Sequence, residues 1–476
     1  MSPALEKGNR REWNRMKKVK KLLTFAVGAA MLASLCSVSA FAEEATTYLE
    51  PSEPKAVTIG STEMLFANGT PVTIVARTDG QEGALVKWGT DGELAVGKNV
   101  TVFGGSHNHD GIYESTSIVM EGGTVRNLVG GGLHKSHVET ANVEFKGGTA
   151  VSVQGGGASS FVKGCGDDCD YTATWYAGDP KESPCVVDET NVIISGGKIT
   201  SLVFGGGEGI SCTKVASLAI AGGDMSTAWV TAGGSNGYTG TAAVAVVDGQ
   251  IKVLQGVNRG SMDASVIVVM GGTVDKMYLG GETGDAGVTG TVAAVGGAVI
   301  GGEVKELHPG TTGGTEITPD TEGIEVAVAV APEATVGNSA DLEDAFGADA
   351  IRTVYTVTYK ANNGEEDVVL PTISGELVEK PEDPVKEGFT FKGWFSDEAL
   401  TKAYTFEEAV TGDLVLYAKW EAVASESNPS TPSTPDDSKP ENPTTGSTSM
   451  VWVVLAAALA GAASIVMVKS RRVRSK

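Results

Sequence analysis

The chain has few aromatic residues for its length. They make up 6% of its 476 residues, which excludes a large core built around aromatic side chains. Glycine is abundant instead, with 64 residues, roughly twice the usual share of about 7%. This composition favours a stacked, turn-rich architecture, and the length allows two or three domains.

Between the two ends of the chain, acidic residues far outnumber basic ones. The formal net charge is -23, and both termini are basic, so the body between them is more acidic still. Such a body cannot bind nucleic acid by neutralising phosphates. It is typical of a soluble, self-repelling surface molecule that attracts cations.

One phrase recurs along the middle of the chain: two alternating apolar residues, a Gly-Gly pair, a short apolar stretch and often a second glycine cluster. The first copy contains Ile118, Met120, Gly122-Gly123, Val125, Leu128 and Gly130-Gly131-Gly132. The pairs begin at Gly122, Gly147, Gly196, Gly222, Gly271 and Gly296, with Asp248-Gly249 replacing one pair and Gly301-Gly302 as an alternative for the last. A spacing near 25 residues is typical of repeat architectures.

Period-two alternation before each pair predicts a strand with one buried face, and the glycines predict sharp corners. No Gly-Lys-Ser/Thr follows the glycine clusters, which excludes a phosphate-binding loop. We therefore predict a mainly β chain with a parallel β-helix, or β-solenoid, over residues 101–316. Residues 43–100 are its expected N-terminal cap, and residues 317–352 its C-terminal cap and junction. The repeats resemble the Gly-Gly-rich β-helical regions of bacterial surface proteins.

Four of the five histidines follow two successive glycine clusters. They are His107, His109, His134 and His137. Stacked coils would place the two loops roughly 5 Å apart, with Asp110 and Glu139 beside the imidazoles. Neutral imidazoles and a carboxylate can bind zinc or another transition metal. Two interpretations stay open, a transition-metal site and a set of solvated loop histidines, and the sequence predicts no other cofactor.

An insertion within the repeats carries three cysteines, and a fourth follows in the next loop. The four residues are Cys165, Cys169, Cys185 and Cys212. An exported chain favours disulfides, and four thiols allow three pairings. The candidate pairs are Cys165–Cys169 and Cys185–Cys212, and a metal site formed by all four is the alternative.

Aromatic residues are concentrated in residues 353–421. Two blocks stand out, Gly388-Phe389-Thr390-Phe391-Lys392-Gly393-Trp394-Phe395 and Leu416-Tyr417-Ala418-Lys419-Trp420. Through these blocks the segment resembles the Listeria–Bacteroides repeat, also called the internalin-type B repeat. The resemblance implies a small β-grasp-like domain that serves as a spacer or adhesion module in surface proteins, without catalysis. Trp394 and Trp420 are either packing residues or sugar-stacking residues.

The N-terminus has the pattern of an export signal. Four lysines precede an apolar stretch, and Ala40-Phe41-Ala42 forms a small-x-small cleavage site. We predict a signal peptide over residues 1–42, cleaved between Ala42 and Glu43. A retained membrane anchor is the alternative.

The C-terminus has the pattern of an anchor. Residues 422–441 are rich in Ser, Thr and Pro, and predict a flexible linker that suits passage through a cell wall. The uncharged apolar run 450–468 is long enough for a transmembrane helix, and the basic tail after it stays inside.

Residues 442–476 resemble a Gram-positive sorting signal. The segment combines the pentapeptide Asn442-Pro443-Thr444-Thr445-Gly446, the apolar run and the basic tail. The resemblance implies that sortase cuts between Thr445 and Gly446 and joins the threonine to peptidoglycan. Asn442 stands where the commonest signals have Leu. The alternative is a single-pass cell-membrane anchor.

Together these features predict a cell-wall-anchored surface protein that is not an enzyme. Its solenoid would display a binding surface for a host, matrix or glycan ligand. The alternatives are a β-helix polysaccharide lyase or hydrolase and a purely structural surface-layer component. Such an enzyme needs carboxylates, or a base with Arg or Lys, converging on one strand face. An acidic row on one face would therefore favour the enzyme.

Overall fold

The structure is a computed structural model. It describes residues 48–59, 62–107, 111–158, 185–209, 211–235, 237–258, 261–282, 292–309, 325–331, 334–339, 342, 351–365, 367–375, 377–378, 380–381 and 383–422. The predicted mainly β class is confirmed. No helix in these ranges is long and apolar enough to cross a membrane, and the apolar run 450–468 lies outside them. Two compact units divide between Val354 and Tyr355.

The described residues form 24 strands. In chain order they are β1 Lys55–Ile59, β2 Thr62–Phe66, β3 Val72–Ala76, β4 Ala84–Trp88, β5 Gly92–Val96, β6 Thr101–Phe103, β7 Ile112–Met120, β8 Thr124–Val129, β9 Ser136–Phe145, β10 Thr149–Gln154, β11 Cys185–Ile194, β12 Lys198–Phe204, β13 Cys212–Thr231, β14 Tyr238–Asn258, β15 Ser261–Val269, β16 Thr273–Glu282, β17 Val292–Val299, β18 Glu303–His308, β19 Glu325–Val330, β20 Thr335–Val336, β21 Ile351–Lys360, β22 Val368–Ile373, β23 Phe389–Phe395 and β24 Leu414–Ala422.

In the first unit, strands pair in parallel in two ladders. Ladder 1 contains β3, β7, β9, β11, the start of β13, the start of β14, β15, β17, β19 and the start of β21. Ladder 2 contains β2, β6, β8, β10, β12, the end of β13, the end of β14, β16, β18 and β20. The chain passes alternately through the two ladders. We call each stretch that contributes one strand to ladder 1 and one strand to ladder 2 a coil. The coils therefore stack, about 4.8 Å apart.

A third row of single bridges follows each glycine cluster. It consists of His107, Leu133, Ala158, Glu208, Ser235 and Asn258. The glycine pairs lie between the two ladder strands of a coil, as the predicted corners require. Gly148 has φ +87°, and a Cβ there would lie 2.5 Å from the Gly123 carbonyl oxygen. In the last phrase, Gly296 and Gly297 lie inside β17, and the corner is at Gly301 and Gly302.

The ladders extend beyond the predicted repeat region at both ends. Strands β2 and β3 already pair with β6 and β7, within the segment assigned to an N-terminal cap. Strands β19 and β20 continue the ladders within residues 317–352. These coils lack the Gly-Gly pair, so the phrase did not reveal them. Strand β1 pairs antiparallel with β2 and covers that edge, where an open strand would recruit another chain.

The core between the ladders is aliphatic. Alternate residues of each coil point inward, such as Ile118 and Met120 on β7 and Val192 and Ile194 on β11. All four are at most 1% exposed. Burial at this level stabilises by about 1.5–3 kcal/mol per side chain, and only a neighbouring coil can provide it.

The second unit is a smaller sheet with an aromatic core. The end of β21 pairs parallel with β24, and β23 pairs antiparallel with β24. The Trp394 ring is buried and meets Tyr359 edge-on at 5.1 Å between centroids. Trp420 is half-buried, and its indole Nε1 donates to the Ala361 carbonyl at 2.7 Å. Both tryptophans therefore pack within the unit, and the β-grasp-like arrangement stays a prediction.

Candidate functional site

The structure brings two of the four candidate histidines together. His107 is in the third row, and His134 follows that row one coil later. Their ring centroids are 5.3 Å apart, and the His107 ring stacks on Phe66 at 5.5 Å. Burial and, to a smaller extent, the neighbouring His107 imidazole lower the pKa of His134 to about 4. Burial also lowers the pKa of His107.

His137 has a different environment from this pair. Strand β9 begins at Ser136, so His137 is a strand residue and not a loop residue. Its Nε2 lies 3.2 Å from Asp188 Oδ1 on the next coil, and Lys214 Nζ lies 2.7 Å from the same oxygen. His109 lies outside the described residues. Within the described ranges, no group of three or more His, Cys, Asp or Glu side chains could hold a metal ion, and the metal site stays a prediction.

Asp188 belongs to a row of acids that the sequence analysis missed. Glu114, Glu139 and Asp188 occupy the same position on β7, β9 and β11, between paired neighbours. Adjacent members are therefore about 4.8 Å apart along the stack. We call these three residues the acidic column. Lys214 occupies the same position in the next coil.

Hydrogen bonds hold two members of the acidic column in place. Tyr48 donates its hydroxyl to Glu139 Oε1 at 2.5 Å, and this bond raises the pKa of Tyr48. Burial raises the pKa of Asp188, but the bonds from His137 and Lys214 lower it overall. The column thus offers carboxylates beside an imidazole and a phenol, which are groups able to transfer protons.

A sequence signal for the column does exist. Each member, and Lys214, stands eight residues before the first glycine of its pair. The apolar residues four and two positions before each pair carry the strand pattern, whereas the charged residue eight positions before it is a separate pattern that only a comparison of the copies reveals.

Two of the four candidate cysteines are described, and both are buried. The Cys185 thiol donates to the carbonyls of Gly132 and Ala158 at 3.7 Å, and burial raises its pKa to about 12. It shares a register position with Ser136, whereas Cys212 is opposite Val186, one position along. The neighbouring Cys212 also contributes to the raised pKa of Cys185, and the Cys185–Cys212 pair stays a prediction.

The remaining candidate residues lie outside the described ranges. They are Cys165, Cys169, Ala42, Glu43, Thr445 and Gly446. The signal-peptide and sortase cleavage sites, and the Cys165–Cys169 pair, therefore stay predictions.

The compact aromatic sheet of the second unit corresponds to a known domain. Residues 355–419 match the Listeria-Bacteroides repeat domain. The resemblance inferred from the aromatic blocks is thereby confirmed for this part of the chain. The Listeria-Bacteroides repeat domain accounts for most of the described second unit and for none of the stacked coils.

Two proteins of Evansella cellulosilytica share similarity over short segments. One, named "Putative Gly-rich membrane protein", is 46% identical over 69 residues, which is 14% of this chain and 8% of that protein. The other, named "Putative membrane protein", is 45% identical over 80 residues, or 16% of this chain and 12% of that protein. The chain thus spans about a tenth of the length of these relatives. No solved structure matches it.

Proposed function

We propose that this chain is an exported surface protein held at the cell envelope by its C-terminus. The Listeria-Bacteroides repeat domain at residues 355–419 carries the proposal, because the family's role in surface proteins agrees with the export and anchor signals. The names of the two relatives are compatible with a surface or membrane-associated location.

In this proposal each segment has one mechanical role. The stacked coils form a β-solenoid that displays a binding surface, and the Listeria-Bacteroides repeat domain is a spacer. Sortase cleaves between Thr445 and Gly446 and joins the chain to peptidoglycan. The acidic surface keeps neighbouring copies apart on the wall, since like charges repel.

The anchoring step is tested by fractionating cells that express the full chain. Wild-type protein should be released from the wall by muramidase, whereas Thr445→Ala should stay in the membrane fraction. Ser447→Ala, two residues beyond the cut, is the matched control and should behave as wild type. Equal wall linkage in Thr445→Ala would refute the sortase assignment.

The acidic column supports a second candidate function, a polysaccharide hydrolase. The acidic column places carboxylates on neighbouring strands, about 4.8 Å apart at the backbone, and retaining glycosidases use a pair of closely spaced carboxylates. Release of reducing ends from a polysaccharide panel by the full chain tests it. Activity should be lost in Glu139→Gln and kept in Asp263→Asn, which lies at the same register position on β15. Absence of release from every polysaccharide would remove this candidate.

A further inference from the structure

One outward register position of ladder 1 changes character along the stack. It begins with Val119, Glu144 and Ile193, which are half-buried and include a charged residue. On the next five strands the same position holds only small apolar residues, which we call the covered column: Ala219, Ala245, Val268, Ala298 and Ala329.

The covered column lies on the outer face of its ladder. Each member is adjacent to a core residue of the same strand, such as Val244 and Val246 on either side of Ala245, and successive strand residues point to opposite faces. All five members are nevertheless at most 3% exposed. Alanine on an open sheet face stays in contact with water, so burial this complete needs a second layer of chain over the covered column.

The described residues do not supply that layer. Ala219 clusters with Ala221 and Ile193, which lie on the same outer face, and the other four members belong to no hydrophobic cluster formed by described residues. Ser217, two residues before Ala219, points to the same side. It is fully buried, and its hydroxyl has no hydrogen-bond partner. The second layer therefore also extends over a polar group beside the covered column.

The dimensions of the covered column define its occupant. Five strands about 4.8 Å apart extend over roughly 20 Å. The short side chains make this face flat, and none of the five is charged, although the whole chain carries a net charge of -23. The occupant is therefore an uncharged apolar segment that is at least as long as the column.

Only two segments outside the described ranges contain an uncharged apolar run of more than ten residues, 22–38 and 450–468. The first belongs to the predicted signal peptide, which export removes. The second has 19 residues, and as a helix it would be about 28 Å long, enough to cross all five strands. Its middle part, 455–464, is mostly alanine and glycine, so two small-residue surfaces can approach closely. Residues 423–449 before it can span up to about 90 Å.

We propose that, in a copy not inserted in a membrane, the run 450–468 packs as a helix on the covered column. The run is apolar on all sides, so it is unfavourable in water, and the covered column offers it an apolar surface on the same chain. The bilayer and the covered column compete for this one segment, and membrane insertion uncovers the column. This state precedes anchoring and goes beyond the proposed function.

Photo-cross-linking of the full chain, made by cell-free translation without membranes or detergent, tests the proposal. Benzoylphenylalanine replaces Trp452 in the run. Ultraviolet light should join it, within one molecule, to the tryptic peptides 215–252 or 260–276, which contain the first three members of the covered column. Mixing heavy- and light-isotope chains distinguishes links within a molecule from links between copies. In a second sample the label replaces Phe25, in the run 22–38, and should not reach these peptides.

Ala245→Glu should lower the yield of this cross-link about tenfold, because the run would bury a carboxylate without a partner. Val119→Glu is the matched control. It introduces the same side chain at the same register position, on a coil outside the covered column, and should cross-link as wild type.

The proposal is overturned if the label at position 452 does not reach the two peptides, if its links join different copies, or if the label at position 25 reaches them instead. An unchanged yield in Ala245→Glu, with hydrogen exchange of β7 and β9 showing folded coils, would also overturn it. If Ala245→Glu unfolds the coils, the wild-type cross-links decide. Fractionation of Thr445→Ala reports wall anchoring separately, so either proposal can fail alone.

Discussion

Glycine serves different purposes in the stacked coils and in the Listeria-Bacteroides repeat domain. In the coils, a Cβ on the corner glycines would collide with the backbone of the neighbouring coil, as at Gly148 and Gly196. In the repeat domain, Gly388 and Gly412 have nothing within 4 Å of such a Cβ. The stacked coils therefore need glycine because neighbouring coils leave no room for a Cβ. The repeat domain needs glycine only for local backbone shape.

This difference follows from how each unit makes its core. A coil buries its strands only against the next coil, so backbones approach closely at every corner. The repeat domain buries Trp394 and Tyr359 within one sheet, and its turns stay in solvent. Substitutions at the two kinds of glycine should therefore lower the free energy of unfolding by different amounts.

Gly148→Ala should have the largest effect. It combines φ +87° with a Cβ only 2.5 Å from the Gly123 carbonyl oxygen, so strain and overpacking together cost roughly 3 kcal/mol or more. Hydrogen exchange of β9 and β10 in the full chain measures it. Gly80→Ala is the control, because Gly80 has φ +74° but open space around it. An equal loss of unfolding free energy in both variants would show that the close approach of the coils does not determine the effect of Gly148→Ala.

Acid should destabilise the coils through His134. Its native pKa of about 4 lies below the ordinary value of 6.5. The unfolded chain therefore binds more protons between these values, and stability falls as pH drops from about 6.5 to about 4. The loss is up to about 3 kcal/mol.

His134→Asn should flatten that pH dependence, because the asparagine amide does not titrate in this range. Asparagine also tolerates the φ of +61° at this position. The measurement is the difference in denaturant midpoint between wild type and variant at pH 4.5 and pH 7. The repeat domain contains no histidine, so its own transition should not respond to this substitution. An unchanged pH dependence of stability in His134→Asn would show that the buried His134 imidazole does not cause the acid destabilisation.

Gly388→Ala should have a moderate effect in the repeat domain. Its φ of +77° strains any residue with a Cβ, but no atom obstructs the methyl group. We expect a loss of about 1 kcal/mol, measured by hydrogen exchange of β23. A loss as large as that of Gly148→Ala would erase the distinction between the units.

Gly412→Ala should have the smallest effect. The position has open space and no left-handed φ, so the free energy of unfolding should change by less than about 0.5 kcal/mol. Hydrogen exchange of β24 measures the change. Substantial destabilisation here would mean that the turns of the repeat domain are more constrained than their surroundings indicate.

The sequence predicted the parts of the fold that depend on short-range pattern. Alternation before each pair located β7, β9 and β11, and the aromatic blocks located the repeat domain. Coils without a pair, such as the one containing β19, were missed because their glycine signal is absent.

Side-chain groupings across coils were harder to predict, because they depend on register. His134 and His137 are close in sequence, yet strand β9 begins between them and separates their environments. Conversely, Glu139 and Asp188 are far apart in sequence because of the insertion, yet they are neighbours along the acidic column.

The position of strand β1 at one edge of the ladders bears on the order in which the coils fold. Each ladder strand pairs with the coil before it, usually about one repeat earlier in the chain, so most contacts are local along the stack. Strands β1 and β2 form the first edge of the described ladders, and they precede every other described strand in the chain. The coils can therefore be added in order as the chain emerges, each on a template that is already complete, and no step has to wait for the C-terminal half.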